Sequence, residues 1–159
     1  MRVVIAGQGY VGLPLAIRAA EAGHTVVGFD VDEDRIKRLA AGDSYVDDIT
    51  SAQLQDALDS GNFLPSVDPR ACAGFDIGVI AVPTPLREGT PDLRYIEESA
   101  RTLARYLRPG ATVALESTTY PGTTTELVGP LLEEGSGLIA GEDFFLGYSP
   151  ERIDPGNRQ

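Results

Sequence analysis

Residues Gly7-Gln8-Gly9-Tyr10-Val11-Gly12 carry the spacing G-x-G-x-x-G, and an acid, Asp30, stands eighteen positions beyond Gly12. Between a strand and a helix, such a run suits the binding of a pyrophosphate. The first glycine permits a tight turn, the second lets the backbone approach the ligand, and the third allows the helix to pack closely on the strand. The helix N-terminus adds free N–H groups and positive dipole for the anion. An acid closing the next strand accepts hydrogen bonds from the two adenosine ribose hydroxyls. Its charge would repel a 2′-phosphate, and the next residue is Val31 rather than Arg, so NAD is expected in preference to NADP. Arg35 is placed either to stack near the adenine or to pair with Asp30.

Three further segments fall just past predicted strand ends: Val82-Pro83-Thr84-Pro85, Glu116-Ser117-Thr118-Thr119-Tyr120-Pro121-Gly122, and Ser149-Pro150-Glu151-Arg152-Ile153-Asp154-Pro155-Gly156. In an open α/β sheet that edge faces the ligand crevice, so the hydroxyls, carboxylates and peptide groups of these segments, Pro83 among them, would line the path from ribose to nicotinamide. Other residues with chemical potential are weaker. Cys72 is the one cysteine, cannot make an internal disulfide, and reads as a small buried or helix-end thiol. His24 has no Ser or Asp constellation in view and is expected at the surface. Asp32, Glu33 and Asp34 suit a helix start better than a metal site, and no metal is expected.

The elements that must hold these residues follow from periodicity. Val3 to Ala6, Thr25 to Phe29, Phe63 to Val67, Ile77 to Val82, Thr112 to Glu116 and Phe144 to Tyr148 read as strands. Apolar residues at helical spacing mark a helix from Val11 to Ala22, and another after a cap at Asp32 or Asp34. A short one runs through Leu54 and Leu58, a clear amphipathic one from Leu93 to Leu107, and a last one through Leu127 and Leu132. Residues 43–62 otherwise look like a surface excursion, and Leu86 to Pro91 like a loop. The order is read as β-α-β-α-β-α-β-α-β-α-β. Strict alternation with right-handed crossovers predicts a single α/β domain, a doubly wound parallel (Rossmann) sheet in strand order 3-2-1-4-5-6.

With 159 residues, 13 Lys plus Arg against 24 Asp plus Glu, and a net charge of −11, the chain lacks the clustered basic charge of a non-specific nucleic-acid binder. The length supports one well-packed core. The N-terminal apolar run is too short for a signal peptide and no run approaches a membrane span, so a cytoplasmic location without membrane contact is expected.

Taken together, GQGYVGLPLA at Gly7 to Ala16, Gly28-Phe29-Asp30-Val31-Asp32, V-P-T-P at Val82 to Pro85, E-S-T-T-Y-P-G-T-T at Glu116 to Thr124 and S-P-E-R-I-D-P-G at Ser149 to Gly156 resemble the UDP-glucose/GDP-mannose dehydrogenase family in its N-terminal NAD-binding domain. The Tyr-Pro-Gly and Ser-Pro-Glu-Arg forms look more like the UDP-N-acetylhexosamine branch than like UDP-glucose 6-dehydrogenase. The resemblance implies a four-electron oxidation of a sugar C6 alcohol to a carboxylate with two NAD. Tyr10, Val11, Asp30, Arg35, Thr84 and Thr118 match cofactor-contact positions. On the catalytic side, Glu151 matches an acid beside the nicotinamide, with Thr118 in support, and Arg152 and Ile153 match positions touching the nucleotide sugar.

The family's nucleophilic Cys in a Gly-rich loop and its catalytic Lys have no counterpart here. Residues 1–150 are therefore expected to be an NAD-binding domain and 151–159 the start of a connection to a central and substrate domain. Such a chain would bind NAD without turnover, and the longer protein would form a homo-oligomer on a UDP-sugar. Two other readings are a non-enzymatic nucleotide-binding or sensing module and a β-hydroxyacid-type dehydrogenase. The latter does not account for Y-P-G-T-T and S-P-E-R-I-D-P-G.

Overall fold

The computed structural model describes residues 1–87 and 89–150. Along the chain run β1 (Arg2–Ala6), α1 (Gly12–Glu21), β2 (Thr25–Phe29), α2 (Glu33–Ala40), α3 (Ser51–Asp59), β3 (Phe63–Ser66), a 3₁₀ turn (Pro69–Cys72) and β4 (Ile77–Ile80). There follow β5 (Leu86–Arg87), β6 (Thr90–Pro91), α4 (Arg94–Ala104), β7 (Thr112–Leu115), a π-helical stretch (Thr123–Val128), α5 (Gly129–Ser136) and β8 (Phe145–Tyr148). Six strands pair in parallel in the order β3-β2-β1-β4-β7-β8, the predicted 3-2-1-4-5-6 order once the small hairpin is set aside.

Side chains alternate across β1: Val3 and Ile5 pack on one face with Leu13, Ile17, Leu39 and Leu54, while Val4 and Ala6 pack on the other with Phe75, Ile96, Leu103 and Leu132. The period-two pattern of a strand covered on both faces thus divides one sheet between two apolar layers. Pro65 sits in β3, the edge strand, where a missing N–H is tolerated.

Several local expectations are corrected. Residues 43–62 are not a surface excursion, because Val46, Ile49, Leu54 and Ala57 are buried under α1 and β3. A capping box between Thr50 and Gln53 starts α3 there. Leu86 to Pro91 includes a pair of two-residue antiparallel strands, too short for any periodicity to reveal. The connection from β3 to β4 holds one 3₁₀ turn in place of a helix, its N-terminus capped by Asp68. The last predicted helix also begins as a π-helical stretch after Gly122, whose φ is 95°. Asp32, rather than Asp34, caps α2. His24 is half-buried in the turn before β2.

Cys72 ends the 3₁₀ turn fully buried, and that burial pushes its thiol up to about 11. The thiolate that would react is therefore scarce at neutral pH as well as inaccessible. A colorimetric disulfide reagent is expected to leave the native chain unlabelled at pH 8 and to label one thiol per chain once guanidinium unfolds it. Rapid labelling of native protein would contradict this burial.

Candidate functional site

Among the described residues, the candidate site residues sit on the turns that follow the carboxyl ends of sheet strands, or, for Gly12 and Arg35, in the first turn of the helix beyond. Gly7 follows β1 and its N–H donates to the Phe29 carbonyl at 2.8 Å, while the Ala81 N–H donates to the Ala6 carbonyl at 2.8 Å. These bonds close the edge between β2, β1 and β4, the point where the strand order reverses. In doubly wound sheets that point opens a crevice.

The three glycines of the turn differ in their surroundings. Gly7 has φ 93°, and a Cβ there would lie 2.6 Å from the Ala81 carbonyl oxygen, so two constraints exclude a side chain. A Cβ on Gly12 would lie 1.8 Å from the Gly7 carbonyl oxygen, which fixes how closely α1 crosses the turn. A Cβ on Gly9 would meet no atom within 4 Å. The constraint on Gly9 therefore does not come from the fold's own packing. Among the described residues, the N–H groups of Gly9, Tyr10, Val11 and Gly12 have no protein acceptor. Such orphan donors at a helix start suit an anion.

Asp30, almost wholly buried, follows β2 and ties the site together. Its Oδ2 accepts the Gln8 N–H at 2.8 Å and an Arg35 guanidinium N–H at 3.0 Å, and its Oδ1 accepts the Asp32 N–H at 3.0 Å. A carboxylate offers about four lone-pair directions, so one on Oδ1 is left for a further donor. Of the two placements expected for Arg35, the structure has the pair with Asp30. The start of α2 fixes that arginine. The Asp32 side chain accepts the N–H groups of Asp34 and Arg35, both at 3.0 Å, and the bond from Arg35 holds the Asp32 carboxyl below the usual carboxylate range.

Two adjoining cavities, each of about 280 Å³, share Arg35, Val82 and Pro83. One runs from Gly7 and Asp30 to Tyr95, Glu98, Ser99 and Thr102 of α4. The other is bordered by Gly9, Tyr10, Val11, Thr84, Glu116, Ser117 and Thr118. The two loops beside the second are stitched together. The Ser117 hydroxyl donates to the Val82 carbonyl at 2.8 Å, and the Thr84 hydroxyl donates to the Thr118 carbonyl. The structure thus brings Gly7, Gly9, Tyr10, Val11, Gly12, Asp30, Arg35, Pro83, Thr84 and Thr118 to one edge. Glu151, Arg152 and Ile153 lie outside the described residues.

Two residues absent from the sequence-based set belong to this framework. Gln8 is fully buried, and its Nε2 donates to the Ile5 and Gly7 carbonyls at 2.9 and 3.1 Å. Tyr45 donates its hydroxyl to the Gln8 carbonyl at 2.6 Å. Burial pushes the Tyr45 phenol well above its ordinary value, so it remains a donor. The glycine rule leaves the second position of the run unspecified, which hides Gln8. The one sequence signal for Tyr45 is an aromatic shortly after Arg35 and Arg38, which share a helix face.

The profile of the UDP-glucose/GDP-mannose dehydrogenase family, NAD binding domain, matches residues 1–159. The chain belongs to this family. It is 40% identical over its whole length to the UDP-N-acetyl-D-glucosamine 6-dehydrogenase of Pseudomonas aeruginosa, covering 37% of that protein. A solved UDP-D-ManNAc dehydrogenase from Pyrococcus horikoshii superposes with a TM-score of 0.92 at 38% identity, over 98% of this chain and 37% of that one. A ternary complex of GDP-mannose dehydrogenase from Pseudomonas aeruginosa gives 0.91 at 36% identity, again over 98% of this chain and 37% of that one. The chain therefore spans little more than a third of the length of these family members.

The family's NAD-binding domain here separates two glycines by experiment. Gly9→Ala is expected to keep or slightly raise the melting temperature, since a methyl meets open space and restricts the unfolded chain, while weakening NAD at least about tenfold. Gly12→Ala is expected to destabilise the fold by several kcal/mol, on the order of an overpacked core. Thermal melts and calorimetric titration of both variants check the contrast. Equal loss of stability would contradict it.

Proposed function

We propose that residues 1–150 hold NAD for a nucleotide-sugar 6-dehydrogenase, and that 151–159 begin the connection to the domains that bind a UDP-sugar. The carrying observation is the buried Asp30 carboxylate, joined to Gln8 and Arg35 beside four consecutive N–H groups that have no protein acceptor among the described residues. The remaining direction on Asp30 Oδ1 would accept an adenosine ribose hydroxyl, and the N–H groups from Gly9 to Gly12 would hold the pyrophosphate. The cavity against α4 would take the adenine, and the cavity edged by Thr84 and Thr118 would take the nicotinamide. A 2′-phosphate would stand against the Asp30 charge, which favours NAD over NADP.

When bound, NAD supplies a hydride acceptor. The overall change consumes a primary alcohol, one water and two NAD, and yields a carboxylate, two NADH and three protons. In this chain the Thr84–Thr118 and Ser117–Val82 bonds keep the two loops in register around the ring. Thr118 supports the reaction from there, Glu151 positions or activates the water, and Arg152 and Ile153 touch the sugar nucleotide. These last three assignments rest on the family resemblance. The covalent step needs a nucleophile beyond this chain, because Cys72 is buried in the core. The full protein acts as a homo-oligomer in the cytoplasm.

The chain is expected to bind NAD in calorimetric titration, with NADP about tenfold or more weaker and with Asp30→Ala losing about tenfold or more. UDP-N-acetylglucosamine and UDP-glucose with NAD should give no rise in absorbance at 340 nm. Preference for NADP, or undiminished NAD binding by a folded Asp30→Ala chain, would refute the cofactor assignment. Turnover by the chain alone would refute the division of labour.

A further inference from the structure

The peptide joining Gln8 to Gly9 is the least constrained link in the turn, because Gly9 has no Cβ to oppose its rotation and no neighbour within 4 Å of the position one would take. Yet the Gln8 side of that link is held at three polar points. Its N–H donates to Asp30 at 2.8 Å, its side-chain amide donates to Ile5 and Gly7, and its carbonyl accepts the hydroxyl of Tyr45, 37 residues away. In a trans peptide the carbonyl and the following N–H point in opposite directions. Holding the Gln8 carbonyl toward Tyr45 therefore turns the Gly9 N–H away from it.

Tyr45 is itself fixed from α2. Its ring lies 5.7 Å from the Arg35 guanidinium carbon and 5.2 Å from that of Arg38, within cation–π range of both. Arg38 also pairs with Asp43 at 2.6 Å, bracing the segment that delivers the tyrosine. Tyr45 borders neither cavity of the site, so any effect on a ligand passes through the turn and Arg35.

We propose that Tyr45 is a positioning residue of the dinucleotide turn. Its hydroxyl presets the Gln8–Gly9 peptide so that the Gly9 N–H meets the pyrophosphate, and its ring steadies Arg35 beside Asp30. This rests on the reading that the turn holds NAD, and it extends that reading to a residue outside the glycine run.

The test is NMR titration of the chain, Tyr45→Phe and Tyr45→Leu with NAD, ADP-ribose and adenosine, with thermal melts alongside. Tyr45→Phe should weaken NAD and ADP-ribose about fivefold while leaving adenosine within about 1.5-fold, because only the pyrophosphate contact loses its preset donor. Tyr45→Leu should weaken adenosine as well, because the ring beneath Arg35 is gone. In the parent chain the Tyr45 hydroxyl proton should exchange slowly and show a cross-peak to the turn, a measurement that needs no variant. Unchanged NAD binding by Tyr45→Phe, equal losses for NAD and adenosine, or a fast-exchanging hydroxyl in the parent would each overturn the positioning role alone. A parent chain that binds no NAD would overturn the cofactor reading and this inference with it.

Discussion

The bond from the Gln8 N–H to the Asp30 carboxylate spans 22 residues and joins the turn after β1 to the end of β2. Much of the local geometry makes sense only around it. Gly28, just before the end of β2, has no room for a side chain, since a Cβ would lie 2.6 Å from the Gln8 Oε1 and 2.7 Å from the Phe63 ring. Gly7 bends the chain so that Gln8 can turn inward, and Gly12 lets α1 start without striking the turn. A charge-assisted bond of this kind contributes roughly 1.5–3 kcal/mol, and leaving the buried carboxylate unpaired would cost more. The contact thus fixes Asp30 by structure before any ligand arrives, which is preorganisation in the sense that lowers the cost of binding.

The electrostatics of the site follow a similar economy. The chain carries a net charge of −11, and the family's cofactor carries a pyrophosphate. Long-range attraction cannot bring the two together. The turn instead offers orphan N–H groups and the positive end of α1, dipoles fixed at the contact itself, with Arg35 as the guanidinium shared by both cavities. Pairing Arg35 with Asp30 offsets the acid locally, so the carboxylate does not impose its full charge on a nearby phosphate.

The sheet order, the glycine spacing and the acid were legible because each follows from a short-range rule. Alternation of strands and helices dictates right-handed parallel crossovers, and the G-x-G-x-x-G run dictates a turn. The gathering of V-P-T-P and E-S-T-T at one edge followed from the same topology. What escaped depends on contacts far apart in sequence. Nothing near Gln8 announces a buried amide, because its partners are backbone carbonyls and an acid on another strand. Tyr45 sits in a stretch without periodicity, and its role arises only when α2 carries Arg35 and Arg38 beneath its ring. The burial of Val46 and Ile49 was missed for the same reason: irregular backbone can bury apolar side chains without leaving a period.

The central claim is that one sheet edge receives an adenine dinucleotide along a fixed path. A backbone amide shift map of the chain with saturating NAD tests it most directly. The account predicts a track through Gly9 to Gly12, Asp30 to Arg35, Val82 and Thr84, and Ser117 to Thr118. Perturbations confined to another surface, such as the cavity between Ala20 and Asn62, or none in the turn after β1, would contradict it.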